Sequence, residues 1–214
     1  MKKGFRTIAQ RAAVEHVIKK SRFIGAAYPV QTVDEALVHL EAVRKQSWDA
    51  SHHCYAYIIG ENSEQKRFSD DGEPQGTAGM PMLDVLQKKD LTNVLVIVTR
   101  YFGGTLLGAG GLVRAYAGAA GAAVDAAGIS VMTPAQRIQC ACSYPLWGRV
   151  EHWLGLQNVL VQTTDFAADV RCTVLVQTTH AENFQTQLRN LCDGKVEIGL
   201  LGEELVAWPA PSGA

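Results

Sequence analysis

Two glycine-rich segments flanked by charge constrain this chain more than any other feature. They are Phe68-Ser-Asp-Asp-Gly-Glu-Pro-Gln-Gly-Thr-Ala-Gly-Met-Pro81 and Arg100-Tyr-Phe-Gly-Gly-Thr-Leu-Leu-Gly-Ala-Gly-Gly-Leu-Val-Arg114. Glycine surrenders backbone entropy in exchange for positive φ or close approach, so a fold concentrates it at turns and contact surfaces. Two such loops, separated by a short helix and a strand and carrying Asp70, Asp71, Glu73, Arg100 and Arg114, predict one composite surface built to meet a partner. Complementary charge predicts that the loops lie side by side, with Arg100 or Arg114 touching Asp70, Asp71 or Glu73.

The 214 residues, 47% hydrophobic and 19% charged, are those of a globular chain of one or two domains. A net charge of −1 excludes a bulk polycation that coats nucleic acid but leaves room for a local basic face. Residues 1–134 hold 15 Lys/Arg against 13 Asp/Glu, and residues 135–214 hold 5 against 8, so such a face belongs to the N-terminal part. The five cysteines are an odd number, and no leader of basic, apolar and cleavage regions precedes them, so a reduced cytoplasm is expected. No segment approaches the roughly 18 apolar residues of a membrane span.

Residues 14–30 alternate as one strand. Thr32 with Glu35 reads as a capping box ahead of the stripe Val33, Ala36, Leu37, Leu40 and Val43, a helix. Cys54–Ile59 reads as a second strand, Met82–Lys89 as a short helix, Asn93–Tyr101 as a buried third strand, and Gly111–Ala127 as a long helix poor in bulk, suited to close packing on a sheet. Thr133-Pro134 reads as a breaker and linker. Beyond it come strand 138–144, helix 145–156, strands 159–164 and 170–178, helix 180–191 and strand 196–201. This βαββαβ order is that of a ferredoxin-like domain. The tail 209–214 is expected to be disordered.

Asp70, Asp71 and Glu73 are the oxygen donors a hard cation needs, but the longer EF-hand ligand set is absent, so turn capping or pairing with arginine is expected and no metal is assigned. His52, His53 and Cys54 are adjacent on a strand and point to opposite faces, so they cannot converge on one ion. Cys140 and Cys142 read as buried thiols. The 103–111 loop precedes a helix whose first N–H groups are unpaired and suit a phosphate or carboxylate, yet the glycines match neither GxxxxGK[ST] nor GxGxxG. No GxSxG, HExxH or Ser/His/Asp order is present, and Ser69 and Thr77 read as turn hydroxyls, so no catalytic residue or cofactor is assigned. Lys19, Lys20 and Arg22 on the first strand, with Arg100, Tyr101, Phe102 and Arg114 beyond the third, combine charge and aromatic surface as phosphate contact and base stacking require. A strand edge protected by lysine is the alternative.

Four segments in order carry a resemblance: Lys19–Gly25, His52–Tyr57, Phe68–Met82 and Arg100–Tyr116 resemble the signature segments of the IMPACT family, in its bacterial YigZ-like branch. The resemblance implies an α+β protein, with a ribosomal protein S5 domain 2-like fold over 1–134 followed by a ferredoxin-like domain over 135–208. Both resemble the last two domains of translocation-type elongation factors. Eukaryotic relatives regulate translation by competing for the activator of a starvation-sensing kinase, using the same kind of N-terminal domain beside a different second domain.

The expectation is therefore a non-enzymatic cytoplasmic regulator that binds ribosome-associated protein or RNA. DNA is not an expected partner, and the oligomeric state is left open. The residues expected to meet a partner or ligand are Lys20, Ser21, Arg22, Phe23, His52 and His53; Asp70, Asp71, Gly72, Glu73, Pro74, Gly76 and Thr77 of the first loop; and Arg100, Tyr101, Gly103, Gly104, Gly108, Gly110, Gly111 and Arg114 of the second. The alternative is a Mg²⁺-dependent phosphoryl-transfer or hydrolytic enzyme, with the 70–73 carboxylates holding the metal and the 103–111 loop the phosphate.

Overall fold

A computed structural model describes residues 4–208, a mixed α+β chain with antiparallel sheets; the tail at 209–214 lies outside the described residues. Two compact units follow one another, Phe5–Val131 and Met132–Trp208.

The first unit runs β1 (Phe5–Ile8), β2 (Ala12–Ile18), β3 (Ser21–Pro29), α1 (Val33–Gln46), β4 (His52–Ile59), β5 (Gln65–Ser69), α2 (Gly79–Lys88), β6 (Val94–Tyr101) and α3 (Ala109–Ala127). Its sheet has the order β2-β3-β6-β4-β5, with every pair antiparallel. The period of two sorts each central strand into two cores. Phe23, Ala27, Cys54, Ala56, Val96 and Val98 face α2 and α3, and Tyr28, Tyr55, Tyr57, Leu95 and Ile97 face α1. Helix α1 starts where expected, because the Thr32 hydroxyl accepts from Glu35 N at 3.2 Å and the Glu35 carboxylate from Gln31 N at 2.7 Å. The small residues of α3 allow close contact with the sheet: a Cβ on Gly25 of β3 would collide with the Ala119 carbonyl oxygen.

The second unit begins within β7 (Ile129–Cys142) and continues with α4 (Tyr144–Gly155), β8 (Val159–Phe166), β9 (Val170–Gln177), α5 (Ala181–Leu191) and β10 (Glu197–Trp208). Its strand order is β10-β7-β9-β8. Ile138, Cys140, Cys142, Cys172 and Val174 face the two helices through Val150, Leu154, Phe184 and Leu188. All five cysteines are buried free thiols. Among the described residues no helix is long and apolar enough to cross a membrane.

Three expectations are corrected. The strand expected over 14–30 is a hairpin, β2 and β3, joined at Lys19-Lys20, whose φ values of 46° and 68° supply the positive-φ turn that matches strand twist. Thr133-Pro134 is no linker, since β7 passes through it without a break. Beyond the strands expected from sequence, β5 pairs along β4 as an exposed polar edge, where charge replaces the apolar alternation that marks a buried strand.

Candidate functional site

The acidic turn is organised by its own carboxylates. Asp70 Oδ1 accepts from the backbone N–H of Ala78 and Gly79, at 3.0 and 2.8 Å, and Oδ2 accepts from Gly76 at 2.8 Å. It therefore caps α2 from across the loop, where no side chain of the helix itself does so. Asp71 and Gly72, at φ of 44° and 86°, turn the chain back so that Glu73 N reaches Asp70 O at 2.9 Å. Asp71 Oδ2 accepts from His53 N at 2.6 Å, and its Oδ1 stands 3.4 Å from Arg44. The Thr77 hydroxyl donates to Pro74 O and the Ser69 hydroxyl accepts from Asp71 N, so both are turn hydroxyls.

Glu73 points inward and is buried. Its Oε1 accepts from Arg100 Nη1 at 2.5 Å and from the Tyr116 hydroxyl at 2.7 Å. The His52 ring completes the cluster: Nε2 lies 3.8 Å from the same oxygen, and Nδ1 lies 2.8 Å from Asp71 O. A carbonyl only accepts, so Nδ1 carries the hydrogen. The Arg100 guanidinium lies 5.3 Å from the Phe23 ring centroid and 5.5 Å from that of Phe102, an apolar setting in which a paired cation also gains from ring quadrupoles. Beneath it, burial pushes the Cys54 thiol up to about 12 and the Tyr116 hydroxyl above its ordinary range, so both are neutral donors.

The second loop is fixed by contact with the hairpin turn. Ser21 Oγ accepts from Gly103 N at 3.1 Å, and a Cβ on Gly103 would collide with the Lys20 carbonyl group. Only glycine fits, and the fit lays the loop against Lys19-Lys20. Two cavities share Leu107 in their lining. One, of about 340 Å³, is lined by His52, Glu73, Pro74 and Arg100 together with Phe102, Leu106, Leu107, Gly108, Ala109 and Leu112. The second, of about 280 Å³, brings Lys19 and Arg114 together with Ile18, Leu107, Gly111 and Ala115.

The arrangement therefore joins the two loops, and the expected arginine contact falls between Arg100 and Glu73. Asp70, Asp71 and Glu73 do not converge on a shared ion, because each is committed to different N–H or O–H donors, and no cluster of three metal-ligating side chains occurs among the described residues. Arg22 is engaged on its own sheet, paired with Glu15 at 2.8 Å and stacked over Tyr101 at 5.1 Å. His53 is buried and bonds Ser47 O at 3.1 Å through Nε2. Gly104 and Gly108 adopt positive φ with open space where a Cβ would stand, and Gly76 does the same in the first loop. Sequence reasoning missed Tyr116 and Arg44. The signal for Tyr116 is its place four residues after Leu112 on the buried face of α3, the one bulky side chain in a row of alanines.

Comparison with known proteins follows the same division of the chain. The family model described as the Impact N-terminal domain matches residues 19–124, and that of a domain of unknown function (DUF1949) matches residues 140–195. IMPACT family member YvyE of Bacillus subtilis (strain 168) is 36% identical over 192 residues, covering 90% of this chain and 88% of that protein. IMPACT family member YigZ of Escherichia coli (strain K12) is 35% identical over 192 residues, covering 89% and 94%. A solved structure titled as that of an hypothetical protein matches at 33% identity with a TM-score of 0.61, covering 94% of this chain and 99% of the other.

Proposed function

The chain belongs to the IMPACT family, and from that premise we propose that it is a non-enzymatic regulator of translation that binds the ribosome-associated machinery through the face formed by the Lys19-Lys20 turn and the 103–111 loop. The observation that carries this reading is the cleft shared by Lys19 and Arg114 beside Leu107. Two cations on one concave surface suit successive phosphates, and the neighbouring Phe102, half exposed, offers a ring for stacking. RNA is accordingly the favoured partner class. The loop carboxylates do not oppose it, because Asp70, Asp71 and Glu73 are held within the fold by their own donors. The same commitments weigh against the Mg²⁺-enzyme alternative.

The reading extends to the folds. An N-terminal sheet with two helices on one face and one on the other suits the S5 domain 2-like assignment, and the strand order β10-β7-β9-β8 with α4 and α5 on one face suits the ferredoxin-like one. The proposal includes a cytoplasmic location and separate folding of the two parts when the chain is divided near residue 134. The function is tested by titrating the full chain with ribosomal RNA at several salt concentrations. Lys19→Ala, Lys20→Ala and Arg114→Ala are each expected to flatten the log–log salt slope by about 0.7–0.9 for every phosphate the side chain neutralises. Identical slopes for wild type and the triple variant refute it.

A further inference from the structure

We infer that the RNA taken by the basic face is single-stranded, with its bases stacked on Trp48 and Phe102 and its phosphates on Lys19, Lys20 and Arg114. This rests on the proposal that the face binds RNA, and adds to it a strandedness and a stacking residue. Register brings these groups to one end of the first sheet. Arg22 of β3 pairs with Tyr101 of β6, and Arg100 of β6 with His52 of β4, so the Lys19-Lys20 turn, the segment after Tyr101 and the loop before His52 meet three neighbouring strands at the same end. With neighbouring strands about 4.8 Å apart, the turn and the loop stand about 10 Å from each other there. The loop is bonded to the end of β6: Ser51 N donates to Arg100 O at 2.9 Å, Ser51 Oγ accepts from Phe102 N at 3.2 Å, and the Tyr101 hydroxyl donates to the Asp49 carboxylate at 3.2 Å.

Trp48 of this loop is 82% exposed, the most exposed Trp, Tyr or Phe among the described residues. An indole left in water forgoes the burial that large aromatic side chains normally contribute. Phe102 is half exposed, with the Arg100 guanidinium over one face and the other left for a base. Tyr101 is not such a platform, because Arg22 lies over its ring. Charge sets the orientation of the strand. Lys19, Lys20 and Arg114 are exposed and pair with no carboxylate among the described residues, whereas the exposed Asp49 beside Trp48 repels phosphate and leaves that side to bases. Stacking on single rings requires bases that are splayed out, and a duplex keeps its base faces covered by their neighbours. A face that read charge alone would favour the duplex, whose phosphates are denser.

The test is titration of the full chain at low salt with a short oligouridylate and with an RNA duplex of equal length, followed by tryptophan emission and by anisotropy of the labelled RNA. The single strand is expected to bind at least about tenfold more tightly than the duplex and to quench the emission. Trp48→Ala changes a position exposed enough to leave folding intact. It is expected to weaken single-strand binding at least about fivefold, with the log–log salt slope unchanged, because an indole neutralises no phosphate. Trp48→Phe keeps a ring and is expected to restore most of the affinity without the quenching, since the remaining tryptophans are buried or half-buried. Duplex binding as tight as that of the single strand, unchanged single-strand affinity in Trp48→Ala, or a loss that Trp48→Phe does not restore would overturn the inference and leave the RNA reading standing. A wild type that binds neither RNA would overturn both.

Discussion

Arg100 Nη1 meets Glu73 Oε1 at 2.5 Å, and the Tyr116 hydroxyl donates to that same oxygen at 2.7 Å, so one carboxylate ties the acidic turn to strand β6 and helix α3 at once. All three residues are buried. Removing one member of such a pair leaves the other charge buried and uncompensated, at a cost of about 3–5 kcal/mol. Glu73→Ala is therefore expected to lower urea stability by about that amount. The double variant Glu73→Gln with Arg100→Met should cost less than the two single changes summed. A Glu73→Ala stability within about 1 kcal/mol of wild type would show that the pair does not hold the turn to the sheet.

Asp70 offers a sharper local test. Its two oxygens satisfy three backbone donors, including two at the start of α2. Asp70→Ala strands those donors and is expected to cost about 1–3 kcal/mol. Asp70→Asn keeps one carbonyl oxygen and should cost less. Amide exchange at Gly76, Ala78 and Gly79 is the direct readout, with faster exchange expected in both variants and most in Asp70→Ala.

The central strands were legible because alternation at period two assigns Cys54, Ala56 and Ile58 to one core and Tyr55, Tyr57 and Ile59 to the other. Two features were hidden. Lys19-Lys20 is not a turn dipeptide by composition; what permits it is a left-handed backbone at both residues, closed over by Gly103. Thr133-Pro134 carries a breaker signal, yet it lies in β7, where proline is tolerated at positions whose N–H is not needed by the ladder. At the site, the two charged loops and the Arg100–acid contact follow from complementary charge. The Tyr116 hydroxyl required tertiary packing to find its carboxylate, and the two cavities that share Leu107 arise from loop placement that periodicity does not encode.

The loop placement itself is testable at two glycines. Gly103→Ala forces a Cβ onto the Lys20 backbone and is expected to destabilise by about 1–3 kcal/mol and to weaken RNA binding. Gly118→Ala in α3 meets nothing within 4 Å and is expected to stabilise by up to about 1 kcal/mol with binding unchanged. Equal effects from the two substitutions would contradict the close fit of loop and turn.

Cys54 gives a pH dependence with a defined sign. Burial raises its thiol from an ordinary value of 9.0 to about 12 in the folded chain. The folded state thus favours the neutral form, and this contribution is fully present below pH 9 and is lost as pH rises from there toward about 12. Cys54→Ala should show a smaller loss of stability across that alkaline window than wild type, measured by urea titrations at successive pH values. Native Cys54 should also resist alkylation at pH 8, since little thiolate is present.

Co-sedimentation of the full chain with ribosomes, in low and in moderate salt, tests the proposed binding face most directly. Wild type is expected to travel with ribosomal particles at low salt and to be released as salt rises, while the folded Lys19→Ala/Lys20→Ala/Arg114→Ala variant remains at the top of the gradient. Wild-type protein that stays at the top at low salt, or a triple variant that sediments as wild type does, would contradict the assignment of this face to the translation machinery.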